Sequence, residues 1–275
     1  MTFGVHSRLF QAQSSAYASF RPSYQEVLYE AIFKFSTNAE RGLALDVGTG
    51  TGQVAARLAQ SFEKVVAVDP SESQIKHAVQ LPNVEYLLGP GEHLPQLAAG
   101  SVDLATAAQC LHWLHIRSFY REMRRVLRPT GTLAVWGYGL SEFPPQQTAA
   151  NVLLQDLYEG QLGPYWDSKR VLVEQHYSNM EPTQDEFRVV ERRELVMELK
   201  MTLDHLVGYL TSWSAYQTYL ATHPDRADPL VAFRDQLKQV LLSDGTDLDK
   251  IDVRWPIFLI LAKEPVPLAG TAADT

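Results

Sequence analysis

Asp46 stands two residues ahead of three alternating glycines, Gly48, Gly50 and Gly52, in the stretch LDVGTGTGQ, and a second aspartate, Asp69, closes the run KVVAVD. Glycines clustered between a strand and a helix let a ligand lie against main-chain N–H groups and meet the helix N-terminus. A carboxylate at the strand end repels a pyrophosphate and attracts a cation. An acidic residue closing the next strand can accept both hydroxyls of a ribose. The dinucleotide fingerprint G-x-G-x-x-G places a third glycine where Gln53 stands. NAD would share the acidic residue at position 69, so Asp69 alone does not discriminate. Asp46 with Gln53 favours S-adenosylmethionine, which carries an ammonium and a sulfonium and has no phosphate.

Other residues that could do chemistry read less sharply. His112 and His115 are three apart, but no further ligand cluster accompanies them, so no metal is expected. Cys110, the single cysteine, reads better as a packed thiol than as a nucleophile, because no activating partner is evident. Tyr165 and Trp166 follow Gly163-Pro164 and suit a loop that shapes a pocket, whereas Tyr209 and Trp213 share helical spacing with leucines and suit the core equally well. Arg121, Arg124 and Arg125 read as a solvated helix face.

The elements that must position these residues alternate. Apolar runs at 43–47, 64–69, 84–89, 102–108 and 132–139 predict strands, and periodic stretches at 52–62, 70–80 and 116–129 predict helices, the last stopped by Pro129 and Gly131. Strand–helix alternation implies βαβ units and a parallel sheet, with ligands beyond the carboxyl ends of the strands. Residues 148–166 predict a helix and a turn, 187–201 one or two strands, 202–213 and 228–242 helices, and 253–263 a final strand.

Composition bounds the rest. The chain has 275 residues, 45% of them hydrophobic, and a net charge of −8. That charge disfavours a nucleic-acid substrate. No apolar run approaches the roughly 20 residues of a membrane span, and the first ten residues have no signal-like apolar core. A cytoplasmic, monomeric protein acting on a small molecule is the expectation.

The stretches LALDVGTGTGQVAARLA, VVAVDPSESQI, LLGPGEHLP, VDLATAAQCLHW and VLRPTGTLAVWGYG resemble successive motifs of class I S-adenosylmethionine-dependent methyltransferases. YASFRPSY, AAQCLHWL, WGYG, LGPYW and YLTSWSAY, in this order, resemble the fungal trans-aconitate methyltransferases and their animal and protist relatives. The resemblance implies a Rossmann-like α/β fold: a mostly parallel seven-stranded sheet, helices on both faces and helical insertions in the C-terminal half. It implies one domain over 1–263, with a lid at about 1–40, a cofactor-binding core at 41–140, substrate-shaping insertions at 141–263 and a disordered tail at 264–275.

It further implies that Asp46, Gly48, Gly50 and Gly52 hold the methionine end of S-adenosylmethionine, with Gln53 opening the helix beneath it, Asp69 on the ribose and Pro70 near the adenine. Gly91 and Glu92 would meet the adenine, where Pro90 departs from a frequent acidic residue. Ala108 and Gln109 would face the methyl donor, and Arg21 the cofactor carboxylate. His112 and Trp113 would flank the methyl. Tyr165, Trp166 and Arg170 would receive the acceptor, a small polycarboxylate methylated on oxygen, with Arg254 as the other basic residue on offer. The rivals are another small-molecule acceptor, a non-catalytic S-adenosylmethionine-binding protein, an NAD-dependent oxidoreductase and a nucleic-acid methyltransferase.

Overall fold

A computed structural model describes residues 23–36 and 41–268. Arg21 and most of the YASFRPSY stretch lie outside them. The chain divides into two compact units. The larger comprises Tyr24–Gly137, Leu172–Leu195 and the described chain from Ile257 onward; the smaller comprises Tyr138–Val171 and Val196–Pro256.

The chain forms a seven-stranded sheet of order β3-β2-β1-β4-β5-β7-β6. Its strands are β1 (Leu43–Val47), β2 (Lys64–Asp69), β3 (Val84–Leu88), β4 (Val102–Ala108), β5 (Leu127–Tyr138), β6 (Phe187–Met201) and β7 (Ile251–Pro265). β3, β2, β1, β4 and β5 run parallel. β1, β2 and β4 are apolar runs because strands covered on both faces have no solvent side, and Leu45, Val66 and Ala105 are fully or almost fully buried. The chain order reverses between β1 and β4, and open α/β sheets bind ligands beyond the carboxyl ends of the strands at such a point.

Helix α1 (Glu26–Phe35) falls within the stretch read from sequence as a lid, and it buries Leu28, Tyr29, Ile32 and Phe35. Helix α2 (Gln53–Leu58) follows the glycines, and α3 (Glu72–Lys76) starts on Ser71, whose hydroxyl accepts the Gln74 N–H. Helix α4 (Ile116–Val126) ends three residues before Pro129. β5 begins at once, and its register against β4 shifts from Val102↔Leu127 to Leu104↔Thr132. Pro129 and Gly131 thus occupy an irregular strand start, where a missing N–H donor is tolerated, and do not stop the helix. Arg124 and Arg125 are not a solvated face either. Arg125 pairs with Glu122 at 2.7 Å and donates to the Leu94 and Leu97 carbonyls; Arg124 donates to the carbonyls of Val266 and Pro267. Residues 264–268, expected from sequence to be tail, are anchored there and by the Val266 N–H to the Glu186 carbonyl.

The smaller unit carries α5 (Thr148–Gln155), a π-helical turn (Asp156–Gln161), α7 (Leu203–Thr211), α8 (Ser214–Thr222) and α9 (Pro229–Ser243). A short helix, α6 (Arg170–Glu174), spans the junction in sequence. Helix α8 has no counterpart among the elements expected from sequence.

Candidate active site

The loop after β1 is shaped by its glycines for different reasons. All three have positive φ: Gly48 +66°, Gly50 +56° and Gly52 +80°. A side chain on Gly48 would start 2.7 Å from Cβ of Cys110, and one on Gly52 would start 2.2 Å from the Tyr86 hydroxyl. Those two glycines make room for the protein itself. Around Gly50, among the described residues, the only atom within 4 Å of such a side chain is Gln74 Oε1, at 3.8 Å. Gly50 therefore leaves open space, which suits a ligand lying against backbone.

Two carboxylates flank this loop. Asp69 accepts the Gly50 N–H on Oδ2 at 2.9 Å and the Ser71 N–H on Oδ1 at 2.8 Å. Burial raises its pKa, and those two N–H groups oppose the rise. Asp46 is 1% exposed and accepts the Thr106 hydroxyl on Oδ1 at 2.7 Å. Its Oδ2 is buried with no hydrogen-bond partner among the described residues. Burial pushes the Asp46 carboxyl up to about 6, against the influence of the Thr49 and Thr106 hydroxyls. Gln74 Oε1 is likewise buried and unpartnered among the described residues. Unsatisfied acceptors of this kind are costly unless a donor or cation reaches them.

The turn after β4 completes this edge. Gln109 sits at φ +52°, and its N–H donates to the Trp136 carbonyl. Ala108 and Gln109 are half-buried. The Cys110 thiol donates to the Val47 carbonyl at 3.2 Å; burial, with Asp46 adding to it, raises its pKa well above the usual value, so it is a packed thiol. His112 lies beside Trp113, ring centroids 4.7 Å apart, and its Nδ1 is 2.7 Å from the Tyr177 hydroxyl. Tyr177 carries no signal in the sequence, because it belongs to a segment with no motif. Glu92 is spent on the His115 N–H at 2.8 Å, and Gly91 is required by Val47, whose Cγ1 lies 2.2 Å from where its side chain would begin. Pro70 is exposed. Among the described residues no group of three or more His, Cys, Asp or Glu could hold a metal.

In the smaller unit the residues grouped by sequence part company. Arg170 and Trp166 come together around Tyr158: Arg170 Nε donates to the Tyr158 hydroxyl at 2.7 Å, and its guanidinium lies 5.1 Å from the Trp166 ring centroid and 5.5 Å from that of Tyr158. Trp213 closes this cluster, 5.5 Å from Trp166 and 5.6 Å from Tyr158. Tyr165 joins another group, its hydroxyl 2.7 Å from His223 Nε2 and its ring edge-on to Tyr219. Arg254 is held by Glu142 and Glu198, at 3.3 and 3.0 Å. Tyr158 has no sequence signal of its own; it sits in the π-helical turn, where the Leu162 N–H reaches back five residues to the Leu157 carbonyl.

Residues 45–135 match the family described as a methyltransferase domain. A Dictyostelium discoideum protein bearing a methyltransferase name is 34% identical over 255 residues, covering 93% of this chain and 94% of that one. The chain belongs to the class I S-adenosylmethionine-dependent methyltransferases. The Saccharomyces cerevisiae protein CRG1, named as an S-adenosylmethionine-dependent methyltransferase, is 25% identical, covering 92% of this chain and 96% of its own. A solved structure from Anaeromyxobacter dehalogenans, described as a type II methyltransferase, is 35% identical with a TM-score of 0.77, covering 90% of this chain and 99% of that one. The methyltransferase's cofactor is S-adenosylmethionine, and the residues present fit it. The unpartnered Asp46 Oδ2 and Gln74 Oε1, the open face of Gly50 and the acidic end of β2 form one edge able to take a cationic nucleoside.

Proposed function

We propose that the enzyme methylates an oxygen of a small polycarboxylic acid. One observation carries this reading: the groups along the carboxyl ends of β1 and β4 that could take a proton already have partners or are given to the cofactor. Glu92 Oε1 accepts the His115 N–H, His112 Nδ1 lies 2.7 Å from the Tyr177 hydroxyl, the Cys110 thiol stays protonated, and the open Asp46 Oδ2 is the acceptor this reading assigns to the cofactor's positive charge. A hydroxyl or amine acceptor would have to lose a proton. A carboxylate, with an ordinary pKa near 4, arrives ionised. The cofactor supplies an electrophilic methyl group. The protein supplies alignment and exclusion of water, and orientation alone can be worth roughly 7–11 kcal/mol of barrier.

In this reading Asp46 and Gly50 hold the methionine end, Gly48 and Gly52 shape the loop around it, Gln53 opens the helix beneath it, Asp69 takes the ribose, and Pro70, Gly91 and Glu92 border the adenine. Ala108, Gln109, His112 and Trp113 line the reacting edge. Arg170 takes a second carboxylate of the acceptor. Its support is that among the described residues no carboxylate pairs with Arg170, which is held by aromatic groups, whereas Arg254 is held by two carboxylates. The resemblance to trans-aconitate methyltransferases agrees.

The test is transfer of labelled methyl from the cofactor to a panel of small di- and tricarboxylic acids, their monoacid analogues, alcohols and amines. The reading expects base-labile methyl esters formed fastest on the polyacids. Label appearing only on amines or alcohols would overturn it.

A further inference from the structure

Tyr177 is wholly buried, yet it lies in an irregular segment after α6 in which His176, Tyr177 and Asn179 all have positive φ, +53°, +57° and +64°. The segment caps α6: the His176 N–H donates to the Val173 carbonyl and the Tyr177 N–H to the Leu172 carbonyl, an arrangement that carries the chain through the left-handed region. Phe258 packs against both rings. The Phe258 ring stands edge-on to Tyr177 at 5.0 Å and stacks on His176 at 4.9 Å with the planes 14° apart. Phe258 in turn fills the place of a side chain on Gly137, whose Cβ would begin 2.4 Å from Cζ of that ring. The glycine of the WGYG motif thus admits Phe258, Phe258 sets Tyr177, and the Tyr177 hydroxyl ends 2.7 Å from His112 Nδ1. A wholly buried tyrosine whose hydroxyl meets one ring nitrogen of a residue on the β4 turn points to a task beyond packing.

We propose that Tyr177 is a positioning residue that fixes His112 as a hydrogen-bond donor to the anionic oxygen of the methyl acceptor. The inference rests on the carboxylate reading above. In this arrangement the Tyr177 O–H donates a hydrogen bond to the lone pair on Nδ1. The neutral imidazole then carries its single N–H on Nε2, and which nitrogen holds the proton is set by the bond the other makes. An Nε2–H group is no base for a hydroxyl or amine. It orients an oxygen that is already ionised. The pairing therefore selects acceptors by charge state.

The test uses the full-length enzyme labelled with ¹⁵N-histidine, the His112 resonances being assigned by their loss in His112→Gln. The wild type is expected to show a neutral ring protonated on Nε2 with Nδ1 as acceptor. Tyr177→Phe, which keeps the ring, should give a mixture of tautomers. It should also lower kcat for the acceptor about tenfold, the size of one lost hydrogen bond, with cofactor affinity unchanged. In a His112→Gln background the same substitution should leave kcat where it is. A wild-type ring protonated on Nδ1 would overturn the proposal. So would a fall in kcat from Tyr177→Phe of the same size with and without His112. The tautomer is read without any acceptor present, so a failure of the carboxylate reading and a failure of this one give different results.

Discussion

The edge of the sheet beyond β1, β2 and β4 and the Arg170 cluster of the smaller unit are built on opposite principles. The first is made of backbone: glycines in the left-handed region, N–H groups held by Asp69, and acceptors buried without partners among the described residues. The second is made of side chains, a guanidinium against Tyr158 and Trp166 with Trp213 behind them. A backbone-made site tolerates few sequences. A site made of large side chains can be rebuilt residue by residue, and that suits the part of an enzyme that distinguishes acceptors.

The largest effect should come from the backbone-made site. Gly52→Ala combines a left-handed φ with a collision against the Tyr86 hydroxyl, which donates to the Val79 carbonyl at 2.7 Å. It should cost about 2–3 kcal/mol of stability in denaturant titration. Gly50→Ala meets open space, so only the strain of about 1–2 kcal/mol applies, and its main effect should be on cofactor affinity. Equal destabilisation by both would break the distinction between packing and ligand-facing glycines.

Asp46 gives a comparable effect with a sign. Its carboxyl titrates at about 6 in the native protein, up from 3.8. Between those values the native state binds a proton that the unfolded chain has released. Stability contributed by this group therefore falls as pH rises from about 4 to 6, by about 2–3 kcal/mol. Asp46→Asn should lack that slope, so the difference between the two pH profiles should display it. In the wild type a cationic cofactor favours the ionised form, so its affinity should rise across the same window. A cofactor affinity independent of pH there would argue against Asp46 serving a positive charge.

How far the sequence can be read follows from the same contrast. β1, β2 and β4 occupy the residues expected from their apolar runs, because a strand buried on both faces has no other composition open to it. The end of α4 departs from expectation, since Pro129 and Gly131 signal a break equally well in a helix and in an irregular strand start. Helix α1 has buried residues at helical spacing, Leu28, Ile32 and Phe35, and that pattern is visible in the sequence. The pairing of Tyr158 with Arg170 is not visible, because a π-helical turn shifts the helical phase that periodicity assumes. Tyr177 is out of reach for a different reason: its partner His112 is 65 residues away, and only the fold brings them together.

The division of labour between the two regions is tested most directly by measuring cofactor binding calorimetrically and acceptor KM kinetically in Asp69→Ala and Arg170→Ala, with unfolding curves as the control for folding. Asp69→Ala should weaken S-adenosylmethionine binding about tenfold or more, since it removes the acceptor of the Gly50 and Ser71 N–H groups as well as the proposed ribose partner. Arg170→Ala should leave cofactor binding unchanged and raise KM for a polycarboxylate about tenfold or more, with little change for its monoacid analogue, because only the polyacid loses a charge-assisted bond. The account is contradicted if Arg170→Ala weakens cofactor binding as much as Asp69→Ala does, or if it raises KM equally for both acids.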